Sequence, residues 1–358
     1  MFGHLFARLF VSLCNHKFVE MNQYIDYSLL EHNTFGMDVR AAMFVEYATI
    51  DELQAFLHSS TFEAYRQRFI HIGAGSNLLF AGDYDGLVMH SALCGIEVVE
   101  DTPRHQLLRV GSGYTWDDFV AYCVDHQLAG VENLSAIPGE VGASAVQNIG
   151  AYGVEVCDVI EQVETVDLNG NVRIFTNEEC KYGYRESVFK NELRGQYIVT
   201  HVVYRLSKQP ACKLGYGDLA ARVEAEGAPT LAAVRRAVVA IRESKLPDPK
   251  VLGNAGSFFT NPMIPLSLYN ALKGQFPDMP SYAVDEERVK VPAGWLIEHS
   301  GWKGRALGRA AVHDRQALVL VNRGGATGDE VMELAHRIVE DIHAKFGIRM
   351  VPEVNYIY

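Results

Sequence analysis

The stretch that decides the fold of this chain is Ser135-Ala-Ile-Pro-Gly-Glu-Val-Gly-Ala-Ser-Ala-Val-Gln-Asn-Ile-Gly-Ala-Tyr-Gly153, which holds four glycines and no Lys or Arg. Glycine permits positive φ and close approach of the main chain to a ligand. Successive free N–H groups form an anion-binding concavity without any fixed cation. The stretch therefore predicts a main-chain site for a phosphate-bearing nucleotide. Taken alone, it fits a glycine-rich surface loop equally well.

A second glycine-rich segment, Gly73-Ala-Gly-Ser-Asn77, follows a short strand predicted at residues 68–72. Ligands of α/β folds usually bind where strands end. The segment does not complete the G-x-G-x-x-G fingerprint, and alone it is more often a tight turn. Two such segments in one half of the chain favour a dinucleotide with a pyrophosphate.

Composition excludes several classes of protein. The chain has 358 residues, of which 48% are hydrophobic and 21% charged, as in soluble globular proteins of two or three domains. A net charge of −12 argues against a nucleic-acid surface, which needs a basic face. No apolar run reaches the roughly 18 residues of a membrane span. We therefore predict a cytoplasmic protein, a monomer, with neither nucleic acid nor membrane as partner.

The cysteines indicate a reducing compartment rather than a metal site. They form no C-x-x-C pair and have no zinc spacing, so we predict free thiols and no metal. Their positions are Cys14, Cys94, Cys123, Cys157, Cys180 and Cys212.

Residues 1–20 are treated apart from the fold. They are apolar, but Arg8 lies inside the apolar run and no convincing cleavage site follows, unlike a signal peptide. Met21 resembles an ordinary start. We predict an extension outside the fold, with an amphipathic lead-in helix as the alternative.

Helices and strands are mixed along the whole chain. Periodicity and capping predict helices at 115–128 and 230–244, and one that begins at the capping box Thr327-Gly-Asp-Glu330. Residues 207–232 are predicted to be a loop-bearing insertion, and Leu246-Pro-Asp-Pro249 a domain junction. Strands are predicted at 107–111, 162–167, 172–175, 197–206, 316–321 and 349–355.

Three polar residues stand in unusual surroundings. Arg185 follows two tyrosines in Lys181-Tyr-Gly-Tyr-Arg-Glu-Ser187 and could bind a carboxylate, although a surface arginine is the more common case. Ser257 lies between Gly256 and two phenylalanines, and could donate a proton or simply cap a helix. Glu353 lies in the predicted last strand, where an edge glutamate is also common.

Together these segments resemble the UDP-N-acetylenolpyruvoylglucosamine reductase family of bacterial cell-wall synthesis over residues 21–358. Each motif is weak, but their common order is specific. The motifs are Asn33-Thr-Phe35, Gly73-Ala-Gly-Ser-Asn77, Ile137-Pro-Gly-Glu-Val-Gly-Ala143, Gln147-Asn-Ile-Gly-Ala-Tyr-Gly153, Tyr184-Arg-Glu-Ser187, Ser244-Lys-Leu-Pro-Asp-Pro249, Gly253-Asn-Ala-Gly-Ser-Phe-Phe259, Ala293-Gly-Trp-Leu-Ile297 and Pro352-Glu-Val354.

The resemblance implies an α+β protein with an FAD-binding fold of the vanillyl-alcohol-oxidase (PCMH) type in two subdomains, followed by a C-terminal α+β substrate-binding domain. We expect the first subdomain at 21–93, joined by a C-terminal strand at 349–358. The second is expected at 94–245 with the insertion at 207–232, and the substrate domain at 246–348. The insertion, which carries Leu214-Gly-Tyr-Gly-Asp218, resembles the family's longer first type, in which a tyrosine loop closes over the substrate.

The resemblance also implies the reaction. FAD is held non-covalently and is reduced by NADPH as co-substrate; the enolpyruvyl group of UDP-N-acetylglucosamine enolpyruvate then receives the hydride and a proton, which gives UDP-N-acetylmuramate for peptidoglycan. Ser257 corresponds to the proton donor, and Arg185 and Glu353 to the pair that stabilises the enolate-like intermediate.

The implied binding residues form two groups. Those expected at FAD are Gly73, Ala74, Gly75, Ser76, Asn77, Ile137, Pro138, Gly139, Gly142, Ala143, Ser144, Asn148, Gly150, Ala151 and Gly153. Those expected at the substrate or the NADPH phosphates are Tyr184, Tyr216, Arg242, Lys245, Asn261 and Gln316.

Two alternatives remain at the level of sequence. Another flavoenzyme of the same fold, acting on a carbohydrate or alcohol, often tethers its flavin through a histidine in a glycine-rich loop, and neither loop here contains one. A catalytically silent nucleotide-binding protein would be expected to lose Arg185, Ser257 or Glu353, and all three are present.

Overall fold

The computed structural model describes residues 21–225 and 227–358. The predicted extension at residues 1–20 therefore lies outside the described residues. Within them, helices alternate with short strands. The helices are α1 (Ile50–Leu57), α2 (Ser60–Tyr65), α3 (Trp116–Asp125), α4 (Val141–Gln147), α5 (Leu219–Ala225), α6 (Leu231–Lys245), α7 (Leu266–Gln275), α8 (Ala293–His299) and α9 (Gly328–Phe346).

Most strands are short. They are β1 (Asn22–Ser28), β2 (Arg40–Tyr47), β3 (Phe69–Ile72), β4 (Leu78–Phe80), β5 (Tyr84–Ser91), β6 (Ile96–Asp101), β7 (His105–Gly111), β8 (Gly150–Ala151), β9 (Val154–Glu155), β10 (Ile160–Asp167), β11 (Val172–Thr176), β12 (Tyr197–Ser207), β13 (Asn254–Ser257), β14 (Met263–Pro265), β15 (Tyr282–Ala283), β16 (Arg288–Lys290), β17 (Ala306–Leu307), β18 (Ala310–Val312), β19 (Val319–Asn322) and β20 (Asn355–Ile357).

Each of the larger sheets takes its strands from one stretch of the chain. One four-stranded sheet, in the order β1-β2-β5-β3, draws on residues 21–93, and a five-stranded sheet, β11-β10-β12-β7-β6, draws on residues 94–245. The C-terminal range contains the sheets β13-β19-β18-β17 and β14-β16-β15. The final strand β20 returns to the first range and pairs in parallel with β4. The domain boundaries themselves stay a prediction.

Two hydrophobic cores contain residues from more than one of the predicted domain ranges. The core under α9 contains Phe35 and Leu79 from the first range together with Phe258 and Leu334 from the third. Another core joins Val45 and Leu53 of the first range to Ile198 of the second. Because apolar burial is the main driving force of folding, the ranges are packed against one another rather than merely linked.

Local chemistry explains the elements that the sequence predicts well. Thr327 caps α9: its hydroxyl oxygen accepts a hydrogen bond from the Glu330 N–H, and the Glu330 carboxylate accepts one from the Thr327 N–H. Thr230 caps α6 in the predicted place. The strands predicted at 162–167 and 172–175 form the antiparallel hairpin β10–β11. Each of these features depends on residues close in sequence, where capping and turn geometry act directly.

Three predicted elements differ in the structure. The predicted insertion at 207–232 is not only loop, since β12 extends to Ser207 and α5 occupies Leu219–Ala225. The strand predicted at 316–321 begins only at Val319. The predicted last strand is reduced to Asn355–Ile357, because Pro352 has no N–H for a ladder and makes only an isolated bridge with Phe259.

A single close contact explains two motifs of the sequence, Asn33-Thr-Phe35 and the segment that begins at Gly253. A Cβ at Gly253 would come within 2.1 Å of the carbonyl oxygen of Phe35. The turn that carries Phe35 is held by the buried Asn33 side chain, which donates to the Leu29 and Met37 carbonyls and accepts from the Met37 N–H. Only glycine lets the two backbones meet, and this contact fixes the start of β13.

We expect Gly253→Ala to lower the free energy of unfolding by roughly 1–3 kcal/mol, the usual cost of overpacking. The matched control is Gly274→Ala on α7, where an added Cβ meets nothing within 4 Å. There alanine should stabilise slightly through its better helix propensity. Urea unfolding of both variants measures the difference, and equal stabilities would refute the contact.

Candidate active site

Two adjoining cavities lie where the glycine-rich segments meet. Cavity one, of about 230 Å³, is lined by residues from the 135–153 loop together with Arg185, Ser257 and Glu353. Cavity two, of about 330 Å³, is lined by residues 69–78 and the far side of the same loop. They share the residues Ser76, Asn77, Glu140, Ala143 and Gln147. The two cavities therefore form one elongated site, as an extended ligand requires.

The main chain of cavity two is arranged for close approach. Gly75 has φ +65°, and a Cβ there would lie 1.9 Å from the His32 carbonyl oxygen, so glycine is required. Among the described residues, no hydrogen bond uses the N–H groups of Ala74, Gly75, Ser76 or Asn77. These N–H groups are available to phosphate oxygens. In contrast, the Gly142 N–H donates to the Ser112 carbonyl, so Gly142 contributes space rather than a donor.

Charged side chains supplement this main-chain site. Lys190 and Arg194 line cavity two, a few residues beyond the Tyr184-Arg-Glu-Ser187 motif. These two cations were not predicted, because charged residues in a polar stretch carry no sequence signal of their own. The phosphate-bearing half of a ligand would thus meet cations as well as backbone N–H groups.

Arg185 and Glu353 form an ion pair in cavity one. Arg185 Nε lies 3.0 Å from Glu353 Oε1, although its N–H makes no hydrogen bond, so the contact is ionic. The guanidinium is held by donation to the Asn148 and Gly150 carbonyls. Glu353 is held by its own backbone, whose N–H donates to the Phe258 carbonyl and whose carbonyl accepts from Asn77 Nδ2. The Arg185 guanidinium and the Glu353 backbone are therefore positioned by the protein itself.

Burial and nearby cations act in opposite directions on the pKa of the Glu353 carboxyl. Burial raises its pKa above the ordinary value, and the nearby cations Arg185 and Lys190 oppose that shift without cancelling it. Desolvation disfavours the ionised form of a carboxyl, while opposite charges favour it. The protonated form of Glu353 is therefore more accessible than that of a solvent-exposed glutamate.

Ser257 reaches the same cavity through an irregular end of β13. The register shifts between Asn254 and Ser257, and Gly256 takes φ +69°. The buried Asn254 side chain makes this bend by accepting from the Gly256 N–H and donating to the Leu252 carbonyl. Phe258 and Phe259 then enter the core. Ser257 is thereby left exposed at the cavity wall, with a hydroxyl that can donate a proton.

The 135–139 part of the loop is clamped from α3 and α6. Ala136 has φ +56°; its N–H donates to Asp117, and its carbonyl accepts from Arg242 Nε. The Asp117 carboxylate also accepts hydrogen bonds from both terminal nitrogens of Arg235. Burial lowers the pKa of Arg242, which nevertheless lines cavity one. The clamp holds a strained backbone conformation at the site.

The structure brings most of the sequence-predicted residues to the two cavities. Those that line a cavity are Gly73, Ala74, Gly75, Ser76, Asn77, Ile137, Pro138, Gly139, Gly142, Ala143, Ser144, Gly150, Tyr184, Arg185, Arg242, Ser257, Asn261 and Glu353. Asn261 also accepts the first N–H of α8, from Ala293. Other lining residues that the sequence analysis missed include Glu140, Gln147 and Trp116.

Six predicted residues do not line either cavity. Asn148 is buried and ties the loop to Gly183 and Cys157. The Tyr216 ring is 54% exposed and packs edge-on against Tyr152, close to Gly153. The remaining members, which lie nearby without reaching the walls, are Ala151, Gly153, Lys245 and Gln316. Their roles stay a prediction.

Two absences hold for the described ranges. Within residues 21–225 and 227–358, no group of three or more His, Cys, Asp or Glu side chains could hold a metal ion. No helix in the same ranges is both long and apolar enough to cross a membrane.

Comparison with known proteins defines the class. Residues 41–176 match the family model of an FAD binding domain, and residues 248–357 match the C-terminal domain of UDP-N-acetylenolpyruvoylglucosamine reductase. The fold and site are thus those of an FAD-binding oxidoreductase with an α+β, PCMH-type fold.

Relatives over almost the whole chain identify the family. The UDP-N-acetylenolpyruvoylglucosamine reductase of Bacteroides fragilis is 54% identical over 92% of this chain and 99% of its own. The enzyme of Porphyromonas gingivalis is 47% identical over 93% and 98%. The crystal structure of the Thermus caldophilus enzyme superposes with a TM-score of 0.67 at 22% identity, covering 95% of this chain and 99% of that one. The chain belongs to the UDP-N-acetylenolpyruvoylglucosamine reductase family.

The ion pair predicts a measurable shift. Removing the cation in Arg185→Met should raise the pKa of Glu353 further, since the desolvation that raises it remains while its nearest opposing charge is lost. Carboxyl ¹³C NMR titration measures this, with Glu353→Gln to assign the resonance. Arg173→Met, which breaks the more exposed pair with Glu179, is the control and should leave Glu353 unchanged. A lowered pKa in Arg185→Met would contradict the pairing.

Proposed function

We propose that the protein is an NADPH-dependent reductase that converts the enolpyruvyl group of UDP-N-acetylglucosamine enolpyruvate to the lactyl ether of UDP-N-acetylmuramate. The observation that supports this most strongly is the convergence of Arg185, Ser257 and Glu353 on one cavity that adjoins the glycine-rich site. They come from three distant parts of the chain. Family membership supports the FAD-dependent reductase role itself.

FAD fits the elongated site. We propose that the flavin end occupies cavity one and that the adenosine end occupies cavity two, with the pyrophosphate near Gly73–Asn77. The available N–H groups, Lys190 and Arg194 suit its two negative charges. When bound, FAD accepts a hydride from NADPH and supplies it to the alkene of the substrate. The remaining chemistry falls to side chains of this protein.

The first task of these side chains is to stabilise negative charge. As the alkene accepts the hydride, charge develops on the carbon next to the substrate carboxylate and spreads onto the carboxylate oxygens. We propose that Arg185 faces those oxygens with its guanidinium, which is already oriented by the Asn148 and Gly150 carbonyls. A charge that is oriented in advance needs little reorganisation during the reaction. Glu353, with its raised pKa, can share a proton with the same oxygens.

The second task is protonation. We propose that the Ser257 hydroxyl gives its proton to the carbon next to the carboxylate, which completes the saturated lactyl group. A serine alkoxide is a strong base, so the proton must be replaced by solvent or a neighbouring group as the product leaves. The exposed position of Ser257 at the cavity wall gives solvent that access.

Substrate recognition is proposed to extend outward from cavity one. Arg242, Asn261 and Tyr184 line its wall, and Lys290 lies 5.1 Å from the Tyr184 ring centre. The exposed Tyr216 and Lys245 and the half-buried Gln316 would contact the UDP part or the NADPH phosphates from outside. A tyrosine side chain that is already exposed can move over a ligand at little cost in lost packing. This is the role proposed for the loop that carries Tyr216.

The Ser257→Ala variant separates the two half-reactions. We expect NADPH to reduce the flavin at the wild-type rate, while reoxidation by the enolpyruvyl substrate slows by roughly 10²–10⁴-fold, as for loss of a general acid. Stopped-flow absorbance measures both steps. Ser267→Ala, at an exposed position of α7 that lines neither cavity, is the matched control and should leave the reoxidation step nearly unchanged. Equal slowing of both steps in Ser257→Ala would remove the serine from the role of proton donor.

We expect the purified protein to be yellow and to release all of its flavin as FAD on acid denaturation. Among the described residues, cavity one is lined by neither His nor Cys, the usual sites of a covalent link. Chromatography of the supernatant identifies the released flavin. Flavin that stays with the precipitate would contradict non-covalent binding, and a colourless protein that takes up no FAD would contradict the proposed function as a whole.

A further inference from the structure

Glu140 is a charged residue at the junction of the two cavities. It lines both of them, although the surrounding 135–153 segment contains no other charged side chain. It is the residue before α4, yet its side chain makes no cap to that helix. A Cβ placed on Gly73 would lie 3.0 Å from its Oε2. The carboxylate thus lies against the glycine turn where the two halves of an extended ligand would join.

A chain of side chains behind Glu140 holds its other oxygen. Glu140 Oε1 lies 3.0 Å from His90 Nε2, and His90 Nδ1 lies 2.8 Å from Glu46 Oε2. His90 on β5 is paired in register with Glu46 on the neighbouring strand β2. The Glu140 and His90 side chains are 11% and 13% exposed. The imidazole is therefore fixed between two carboxylates from different elements.

This arrangement supports a positive charge on His90. Burial alone would lower the pKa of His90, but its bonds to Glu140 and Glu46 outweigh burial and raise it. The other titratable rings nearby oppose charging. His32, on the turn after β1, has its ring 5.2 Å away, and burial together with His90 lowers the pKa of His71 on β3 to about 3. One imidazolium thus partly neutralises two carboxylates beside the cofactor site.

The Glu140 carboxylate is unsuited to binding a phosphate group. A carboxylate accepts hydrogen bonds and donates none, so it repels phosphate oxygens and attracts hydroxyl groups. Within the described ranges, Glu140 Oε2 accepts no hydrogen bond from the protein. The linker of FAD carries hydroxyl groups on the ribityl chain, between the flavin ring and the pyrophosphate. The chemistry of the junction therefore matches a polyol.

We infer that Glu140 is a cofactor-binding residue that accepts hydrogen bonds from the ribityl hydroxyl groups of FAD, and that His90 and Glu46 hold it in place and moderate its charge. The inference rests on the placement of FAD proposed above and adds to it the assignment of the linker. It also separates two functions along one segment: main-chain N–H groups for the phosphates and a carboxylate for the polyol.

The decisive variant is Glu140→Gln, which preserves shape and removes the charge. Hydrogen bonds to a charged group are the stronger kind, so the Kd for FAD, measured by flavin fluorescence on the apoprotein, should rise roughly tenfold or more. Glu333→Gln on α9 is the matched control, because it removes an exposed carboxylate that pairs with Arg337 and lines neither cavity; its effect should stay below about threefold. Thermal unfolding of each apoprotein checks that it is folded.

A second probe locates the contact along the cofactor. ADP contains the pyrophosphate and the adenosine but no ribityl chain, so Glu140→Gln should leave the Kd for ADP unchanged. Equal losses for ADP and FAD would overturn the ribityl assignment. FAD bound as tightly or more tightly by Glu140→Gln would overturn the inference, since the carboxylate would then only repel the phosphates. Wild-type protein that binds no FAD would instead contradict the proposed function.

The wild-type protein offers a test without mutation. Because the pKa of His90 is raised, its positive charge is present below that pKa and is lost as the pH rises through it. The neutral imidazole has only one N–H and can donate to only one of the two glutamates, so Glu140 is held less firmly. The affinity for FAD should therefore fall on the alkaline side. The fall should be smaller in Glu140→Gln. An FAD affinity independent of pH across the titration of His90 would contradict the inference.

Discussion

The ion pair between Arg185 and Glu353 is the constraint on which the site depends. Arg185 is oriented by carbonyls of the 148–150 turn, and Glu353 by the backbone of Phe258 and the side chain of Asn77. The pair therefore forms only when the glycine-rich loop, the serine-bearing strand and the C-terminal segment are all in place. Removing one member of a buried pair leaves an uncompensated charge, which is more costly than never having had the pair. The pair at the active site is thus a product of tertiary contacts among three separate segments.

Backbone strain is concentrated around the same cavity. Ala136, Asn148, Tyr152 and Arg185 all have positive φ, which is uncommon for residues with a side chain. Ala136 is held by Asp117 and Arg242, and Asn148 by its own side chain. Strain of this kind persists only where surrounding contacts over-determine it. Its concentration here is consistent with a site that is shaped before ligand arrives rather than by it.

Elements that depend on residues close in sequence were predicted correctly, whereas elements that depend on distant contacts were not. The capping box at Thr327, the cap at Thr230 and the β10–β11 hairpin involve near neighbours and were predicted in the right places. The last strand was predicted too long, because its apolar pattern ignored that Pro352 could make only an isolated bridge to Phe259. The helix Leu219–Ala225 was missed inside a polar stretch, since its apolar side packs on α6, far from any local signal.

The sequence by itself determined which chemical groups are available: two glycine-rich segments for a phosphate-bearing cofactor, and an arginine, a serine and a glutamate in motifs typical of one reductase family. The tertiary structure alone decided how those groups act. It paired Arg185 with Glu353 and raised the pKa of that carboxyl through burial. It also placed Glu140 at the junction of the cavities, against His90. Local sequence specifies turns and residue types, whereas charge state depends on desolvation and on neighbours that only the folded chain brings together.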